Sequence, residues 1–169
     1  HTWPQFADKI HTRHLGTPDP GTMAECQREP FTIISCAHLG AVKRMTRMPA
    51  ILAAARDHGI DARWTHLGDG PDMGALRQEI AAHGVEESVT LLGHVDNAAV
   101  METQRSLSPS VFVNLSSSEG LPVSMMEVAS LGIPIVATNV GGVSEIVSSA
   151  NGHLLPAEFT DVQATKALI

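Results

Sequence analysis

Cysteine is scarce in this chain, and the two present, Cys26 and Cys36, cannot build a disulfide framework. Cys36 lies in the apolar run "FTIISCA", the setting of a buried free thiol. Long hydrophobic runs are also missing. None approaches the roughly 18 to 20 residues that span a bilayer, and no secretory signal is legible. The chain opens on His1 rather than Met, so its natural start, with any targeting information, is expected to lie upstream. Positive charge is in deficit. The formal net charge of −7 disfavours a general nucleic-acid or anionic-membrane surface, and any anionic ligand needs a locally built cationic site. The nine histidines are scattered, without H-E-x-x-H or Cys/His ligand spacing, so no protein-built metal site is expected. Neither standard phosphate loop, G-x-G-x-x-G or G-x-x-x-x-G-K-[ST], occurs, and there is no G-x-S-x-G nucleophile elbow.

What is present suits a soluble globular protein with one substantial core: 169 residues, 43% hydrophobic and 17% charged. From Phe31 onward, short apolar runs alternate with helix-like stretches. The strands read as 31–36, 62–67, 88–92, 110–115, 133–138 and 152–155. Helices are expected over 43–59, 72–84, 97–108, 122–132 and 142–150. Gly59, Gly84 and Gly132 stand where a left-handed helix cap belongs, and Pro71 and Pro122 near helix starts. Such alternation implies βαβ crossovers and a mostly parallel sheet of about six strands covered on both faces: a Rossmann-like three-layer α/β sandwich. Ligands of such sheets bind at the carboxyl ends of the strands, which sends attention to the strand-to-helix loops. Residues 1–30, with "TPDPG", read as a connecting segment, and the tail beyond Pro156 starts a helix-like stretch and stops. The expectation is one half of a larger protein.

The loop after the fourth strand, within "SSSEGLPVSMMEVASLGIPIVATNVGG", carries Glu119 and Glu127 on either side of a Gly120-Leu121-Pro122 turn. The unpaired N–H groups of a helix starting there favour an anion, and Gly120 leaves room for close approach. Glu127 lies five residues into that helix, about 7.5 Å along its axis. A carboxylate there suits the two hydroxyls of a ribose whose phosphates rest on the helix start. Ser124, Glu127 and Ser130 share a stripe by spacing, which also describes a solvent face. Glu119 alone also fits an ordinary helix-start acid. In the first loop, Lys43, Arg44 and Arg47 cluster where a first helical turn is expected. Cations there oppose the helix dipole by some 0.3–1 kcal/mol each unless an anion is bound, or unless the helix starts later. His38 sits at the strand end as a phosphate donor or a packed histidine. In "LGDGPD", Asp69 or Gly70 is expected to cap the next helix, with Gly68 in a structural turn or at the cleft. Gly93, His94 and Val95 follow the third strand, and Asp96 or Asn97 caps the next helix.

Taken together, "ISCAHLGAVKR", "LGDGP", "LLGHV", "SSSEGLPVSMMEVASLGIPIVATNVGG" and "EIV…NGHLL" resemble, in this order, the retaining GT-B glycosyltransferases that carry the E-x(7)-E motif (glycosyltransferase family 4, "glycosyl transferases group 1"). The resemblance covers about residues 31 to 156, and more weakly "FADKIHTRHLG" near the start. It implies that 31–169 is the C-terminal, nucleotide-sugar-binding domain of a GT-B fold, truncated at its end, and that 1–30 leads from an N-terminal acceptor domain outside this chain. By that resemblance Glu119 contacts donor sugar hydroxyls and acts in catalysis with Lys43. Glu127 holds the ribose. The Gly120–Leu121 backbone, with Lys43, His38 and Arg44, holds the diphosphate, while Gly68, Gly93, His94 and Val95 line the nucleoside side. Many members carry Arg where His38 stands, so a weaker or pH-dependent phosphate contact is expected there. The implied reaction passes a hexosyl group from a UDP-, GDP- or ADP-sugar to a glycan or lipid-linked acceptor in polysaccharide biosynthesis, without cofactor or metal. The implied location is the cytoplasm, or the inner membrane's surface through the part outside this chain. Rival readings are another GT-B enzyme, such as a nucleotide-sugar epimerase or an inverting transferase, and a non-catalytic nucleotide-sugar-binding module.

Overall fold

The computed structural model describes Lys9, His11 and residues 15–169. The stretch "FADKIHTRHLG" and the first half of the expected connecting segment fall mostly outside the described residues. Twelve elements alternate: β1 (Phe31–Cys36), α1 (Met48–Asp57), β2 (Ala62–Leu67), α2 (Met73–Ala82), β3 (Val89–Gly93), α3 (Asn97–Ser106), β4 (Val111–Asn114), α4 (Val123–Ser130), β5 (Ile135–Thr138), α5 (Val143–Ile146), β6 (Gly152–Leu155) and α6 (Asp161–Leu168). All six strands pair in parallel, in the order β3-β2-β1-β4-β5-β6. This is the doubly wound Rossmann-like arrangement, and its order reverses between β1 and β4.

Continuous apolar strands are explained by burial on both faces. Along β4, Val111 and Val113 pack with α1, α2 and α6, whereas Phe112 between them packs with α4 and α5. Ile33 and Ile34 of β1 divide in the same way, the two-residue period of a strand between two helical layers. Gly59, Gly84 and Gly132 do end helices with positive φ, at 83°, 60° and 76°.

Three expectations are corrected. The helix expected from 43 begins only at Met48; Ala41–Lys43 and Met45–Arg47 form two 3-10 turns joined by Arg44 in the left-handed region. The helix expected over 142–150 stops at Ile146, because Val147 turns extended and Asn151 donates to the Ile146 carbonyl and accepts from Ser148 N–H. Asp72, not Asp69 or Gly70, occupies the cap of α2, while the Asp69 carboxylate accepts from Gly70 N–H. The tail after Pro156 does form a helix. Thr160 and Gln163 cap each other at its start, and Ala164 and Leu168 pack into the first core. Residues 15–30 carry neither helix nor strand and lie along the α3–α4 side, with Ala24 N–H donating to the Leu131 carbonyl.

One polar group is sealed inside the sheet. His66 of β2 is 0% exposed, with its Nδ1 2.7 Å from Ser35 Oγ. Burial lowers its pKa from 6.5 to about 4, against a smaller opposing pull from the Ala37 backbone. The folded pKa lies below the unfolded one, so the unfolded chain takes up the proton first as pH falls. Stability is therefore expected to drain between pH 6.5 and about 4, by up to about 3 kcal/mol. Urea unfolding at pH 7, 6 and 5 checks this: the midpoint should fall through that window, and His66→Gln should flatten the fall.

Candidate functional site

The site is built where the sheet order reverses, between the loops that leave β1 and β4. These loops are stitched together through their backbones. Ser117 N–H donates to the Val42 carbonyl at 2.8 Å. Arg44 donates from Nε to the Leu115 carbonyl at 2.7 Å and from Nη2 to the Ser116 carbonyl at 3.0 Å. Asn114, the one polar residue of β4, accepts from Ser116 N–H through Oδ1, and Thr138 Oγ1 also donates to the Ser116 carbonyl. With the bend held this way, Glu119 and Lys43 meet: Lys43 Nζ lies 2.7 Å from Glu119 Oε1, and Asn114 Nδ2 donates to the same oxygen at 3.1 Å. Only 8% of the Glu119 side chain is exposed, against 28% for Lys43. Burial pushes the Glu119 carboxyl up. The hydrogen bond and charge of Lys43, with Asn114 and the otherwise unpartnered Ser116 hydroxyl, outweigh it and hold the group below the usual carboxylate value.

A second loop packs onto the bend from below. Gly141 has φ 53°, and a Cβ there would stand 1.8 Å from the Glu119 carbonyl oxygen. Gly142 N–H donates to the Gly120 carbonyl at 2.8 Å. The glycine pair of "VGG" is thus required for backbone-on-backbone contact beneath the acid. Gly120 differs: nothing lies within 4 Å of a Cβ built on it, so its outer side faces open space. Leu121 is half-buried against Gly142, and Pro122 caps α4.

Glu127 does not lie on a purely solvated stripe. It is half-buried on α4, burial raises its pKa, and its charge helps push the Cys36 thiol at the end of β1 to about 11, second to the thiol's own burial. The carboxylate therefore faces the carboxyl edge of β1. Cys36 in turn lines a cleft of about 180 Å³ with His38, Gly68, His94 and Val95. Four sequence-predicted residues thus converge there from the ends of β1, β2 and β3. His38 and His94 are exposed, and Gly93 stands behind the lining residues, its carbonyl accepting from Gly68 N–H at 2.8 Å. A larger concavity of about 510 Å³, lined by residues such as Arg56, Asp61 and His83, lies at the opposite, amino edge of the sheet, away from every strand-to-helix loop.

Arg44 and Arg47 are placed differently from the expected phosphate cluster. Arg44 commits its donors to the Leu115, Ser116 and Ala157 carbonyls. Arg47 grips Asp161 at 2.9 and 2.6 Å. Both guanidinium groups lie over the Phe159 ring, at 5.0 and 3.9 Å from its centre. They strap the β6–α6 connection to the first loop and leave Lys43 as the cation beside the bend. Sequence reasoning passed over Asn114, Phe159 and Asp161. The lone polar residue in "SVFVNL" was a signal for the first; nothing local pointed to the other two.

The chain belongs to the glycosyl transferases group 1 family, whose model matches residues 32–169. The GtfA subunit of the UDP-N-acetylglucosamine–peptide N-acetylglucosaminyltransferase of Streptococcus pneumoniae serotype 4 is 26% identical over 161 residues, covering 94% of this chain and 31% of the relative. The crystal structure of pneumococcal GtfA with UDP and GlcNAc matches with a TM-score of 0.70 at 23% identity, over 87% of this chain and 30% of that one. WcaL of Escherichia coli, named as a colanic acid biosynthesis glycosyltransferase, is 32% identical over 132 residues, 75% of this chain and 32% of its own. The lipopolysaccharide outer core galactosyltransferase WaaB, in its apo form, matches with a TM-score of 0.83 at 18% identity, over 96% of this chain and 46% of that one. The fold is the C-terminal Rossmann-like unit of a GT-B glycosyltransferase, and the chain spans about a third of the length of the curated relatives it matches. Among the described residues no helix is long and apolar enough to cross a membrane.

The glycine contact makes a test. Gly141→Ala is expected to lower the urea unfolding free energy by about 1–3 kcal/mol, since it adds both a clash and a strained φ. Gly120→Ala, which meets open space, should stay within about 0.5 kcal/mol of the parent.

Proposed function

We propose that this chain is the donor-binding domain of a retaining hexosyltransferase that takes an NDP-sugar and passes the sugar to a glycan or lipid-linked acceptor. The observation that carries the reading is the Lys43–Glu119 pair, 2.7 Å apart at the open start of α4. An ammonium and a helix N-terminus, side by side, suit a diphosphate. In the unliganded protein Glu119 holds the ammonium in place. When the donor enters, its diphosphate takes over the ammonium, and Glu119 is released to the donor sugar hydroxyls. Gly120 and Leu121 offer their backbone to the diphosphate, with His38 at the border of the nucleoside cleft. Glu127 takes the ribose diol, and Gly68, Gly93, His94 and Val95 enclose the base. A UDP moiety is the first donor to try, since the pneumococcal neighbour was solved with UDP and GlcNAc; GDP and ADP follow.

As the bond to the anomeric carbon breaks, negative charge grows on the departing diphosphate. Lys43 and the helix start stabilise that charge, and transition-state stabilisation of this kind is where the rate is expected to come from. Arg44 serves by holding the loops together and not by touching the donor. No divalent metal enters this scheme. The acceptor is bound by parts of the protein outside this chain.

Two measurements on the full-length protein test the reading. Calorimetric titration with UDP-, GDP- and ADP-sugars should show one preferred nucleotide, with Glu127→Ala weakening it at least about tenfold, a loss near 1.4 kcal/mol. Unchanged affinity removes Glu127 from the site. Lys43→Ala should slow sugar transfer by about two to three orders of magnitude while EDTA leaves the parent rate unchanged. Near-normal turnover in that variant sinks the assignment, and loss of activity in EDTA sinks the metal-free scheme.

A further inference from the structure

Under the cleft floor lies a chain of buried polar groups to which nothing so far gives a purpose. Trp64 Nε1, which can only donate, points at Ser35 Oγ from 2.9 Å. Ser35 has one hydroxyl proton, and its oxygen is 2.7 Å from His66 Nδ1. The indole N–H takes one of the two lone pairs of that oxygen, which leaves the hydroxyl proton available to Nδ1; in the arrangement proposed below, Nδ1 accepts it. A neutral imidazole with an accepting Nδ1 carries its hydrogen on Nε2. That Nε2 is fully buried, and among the described residues it meets no partner in full hydrogen-bond geometry; only the Ala37 backbone is near enough to pull against burial on this imidazole. A buried donor in this state is costly, so it needs a reason.

The acceptor nearest to hand is the Ala37 carbonyl. A Cβ built on Gly68 would stand 2.0 Å from Ala37 O and 3.2 Å from His66 Nε2, so the missing side chain is what lets the Ala37 carbonyl lie against this backbone beside the imidazole. Ala37 and Gly68 are lining residues of the cleft, and His38 follows directly. Ala37 N–H is tied to the Leu67 carbonyl at 3.0 Å, and the Ala37 carbonyl belongs to the next peptide unit, the one that carries the His38 N–H.

We propose that His66 is a positioning residue for nucleotide binding: locked in the Nε2–H tautomer by Ser35, it directs the Ala37 carbonyl, and through that peptide sets His38 at the wall of the cleft. The inference rests on the reading of the cleft as the nucleotide site. His66 touches no ligand itself. The Nε2–H contact to Ala37 falls short of full hydrogen-bond geometry in the free protein, and it tightens when bound nucleotide settles the His38 wall.

The test uses the full-length protein, with UDP, GDP and ADP as probes and imidazole 15N–1H spectra as the readout that a merely structural role would not move. The expected result is the Nε2–H tautomer for His66 at neutral pH, with its proton shifting downfield on nucleotide binding as the bond to Ala37 forms. Ser35→Ala should relax the tautomer and weaken binding about three- to tenfold, the size of one lost hydrogen bond. His66→Gln, whose amide keeps a donor near Nε2, should retain most of the affinity, and His66→Phe should not. An Nδ1–H tautomer overturns the proposal, as does a folded Ser35→Ala or His66→Phe protein that binds like the parent. A parent that binds none of the three nucleotides defeats the reading of the site instead. His66 is then judged without ligand: the proposal fails if His66→Phe leaves the Ala37 and His38 amide resonances in place.

Discussion

The contact between Lys43 and Glu119 ties together loops 76 residues apart in the chain, and the rest of the site is arranged so that it can form. A carboxylate this enclosed is costly unless its oxygens meet donors. Lys43 and Asn114 supply them on one oxygen. The ammonium keeps partial access to water, so the pair is better seen as a poised charge arrangement than as a source of stability. Remove the ammonium and an enclosed acid stands half-paired; displace it with a diphosphate and the acid is released at the place where donor chemistry is proposed.

Much of what holds that geometry is backbone. Ser117 pairs with Val42, Gly142 with Gly120, and Leu39 exchanges bonds with Asp69 and Asp72. Arg44, the φ 52° residue beside Lys43, turns its guanidinium inward onto three carbonyls, and Arg47 anchors the start of α6. The Phe159 ring takes both guanidinium groups, which offsets part of the cost of two like charges near each other. A site assembled this way is set before any ligand arrives, as stabilisation of developing charge requires. The same logic explains how a chain of net charge −7 can still serve an anion. Its cations are few, yet Lys43, Arg44 and Arg47 fall within one stretch of five residues after β1, where the arginines hold the loops and Lys43 stands beside the bend.

Much of the fold was legible. All six strands fall within two residues of their expected limits because a strand between two helical layers announces itself as a short apolar run. The glycine caps were legible for an equally local reason. Less local features were not. The basic run looked like a first helical turn, whereas left-handed Arg44 breaks it into two 3-10 turns. Glu127 fitted a solvent stripe by spacing, and only the packing of α4 against the end of β1 turned it toward Cys36. His66, in the middle of "ARWTHL", gave no sign of being anything but one more strand residue.

By itself, then, the order of residues determined the elements, the parallel two-faced sheet and the family, since periodicity, caps and turn chemistry act over a few neighbours. Tertiary structure alone decided which cation meets which acid, which arginines turn inward, and which hydroxyl a sealed histidine meets. Those outcomes depend on hydrogen-bond partners 31 to 114 residues away, and direction at such range exists only once the strands have been laid side by side.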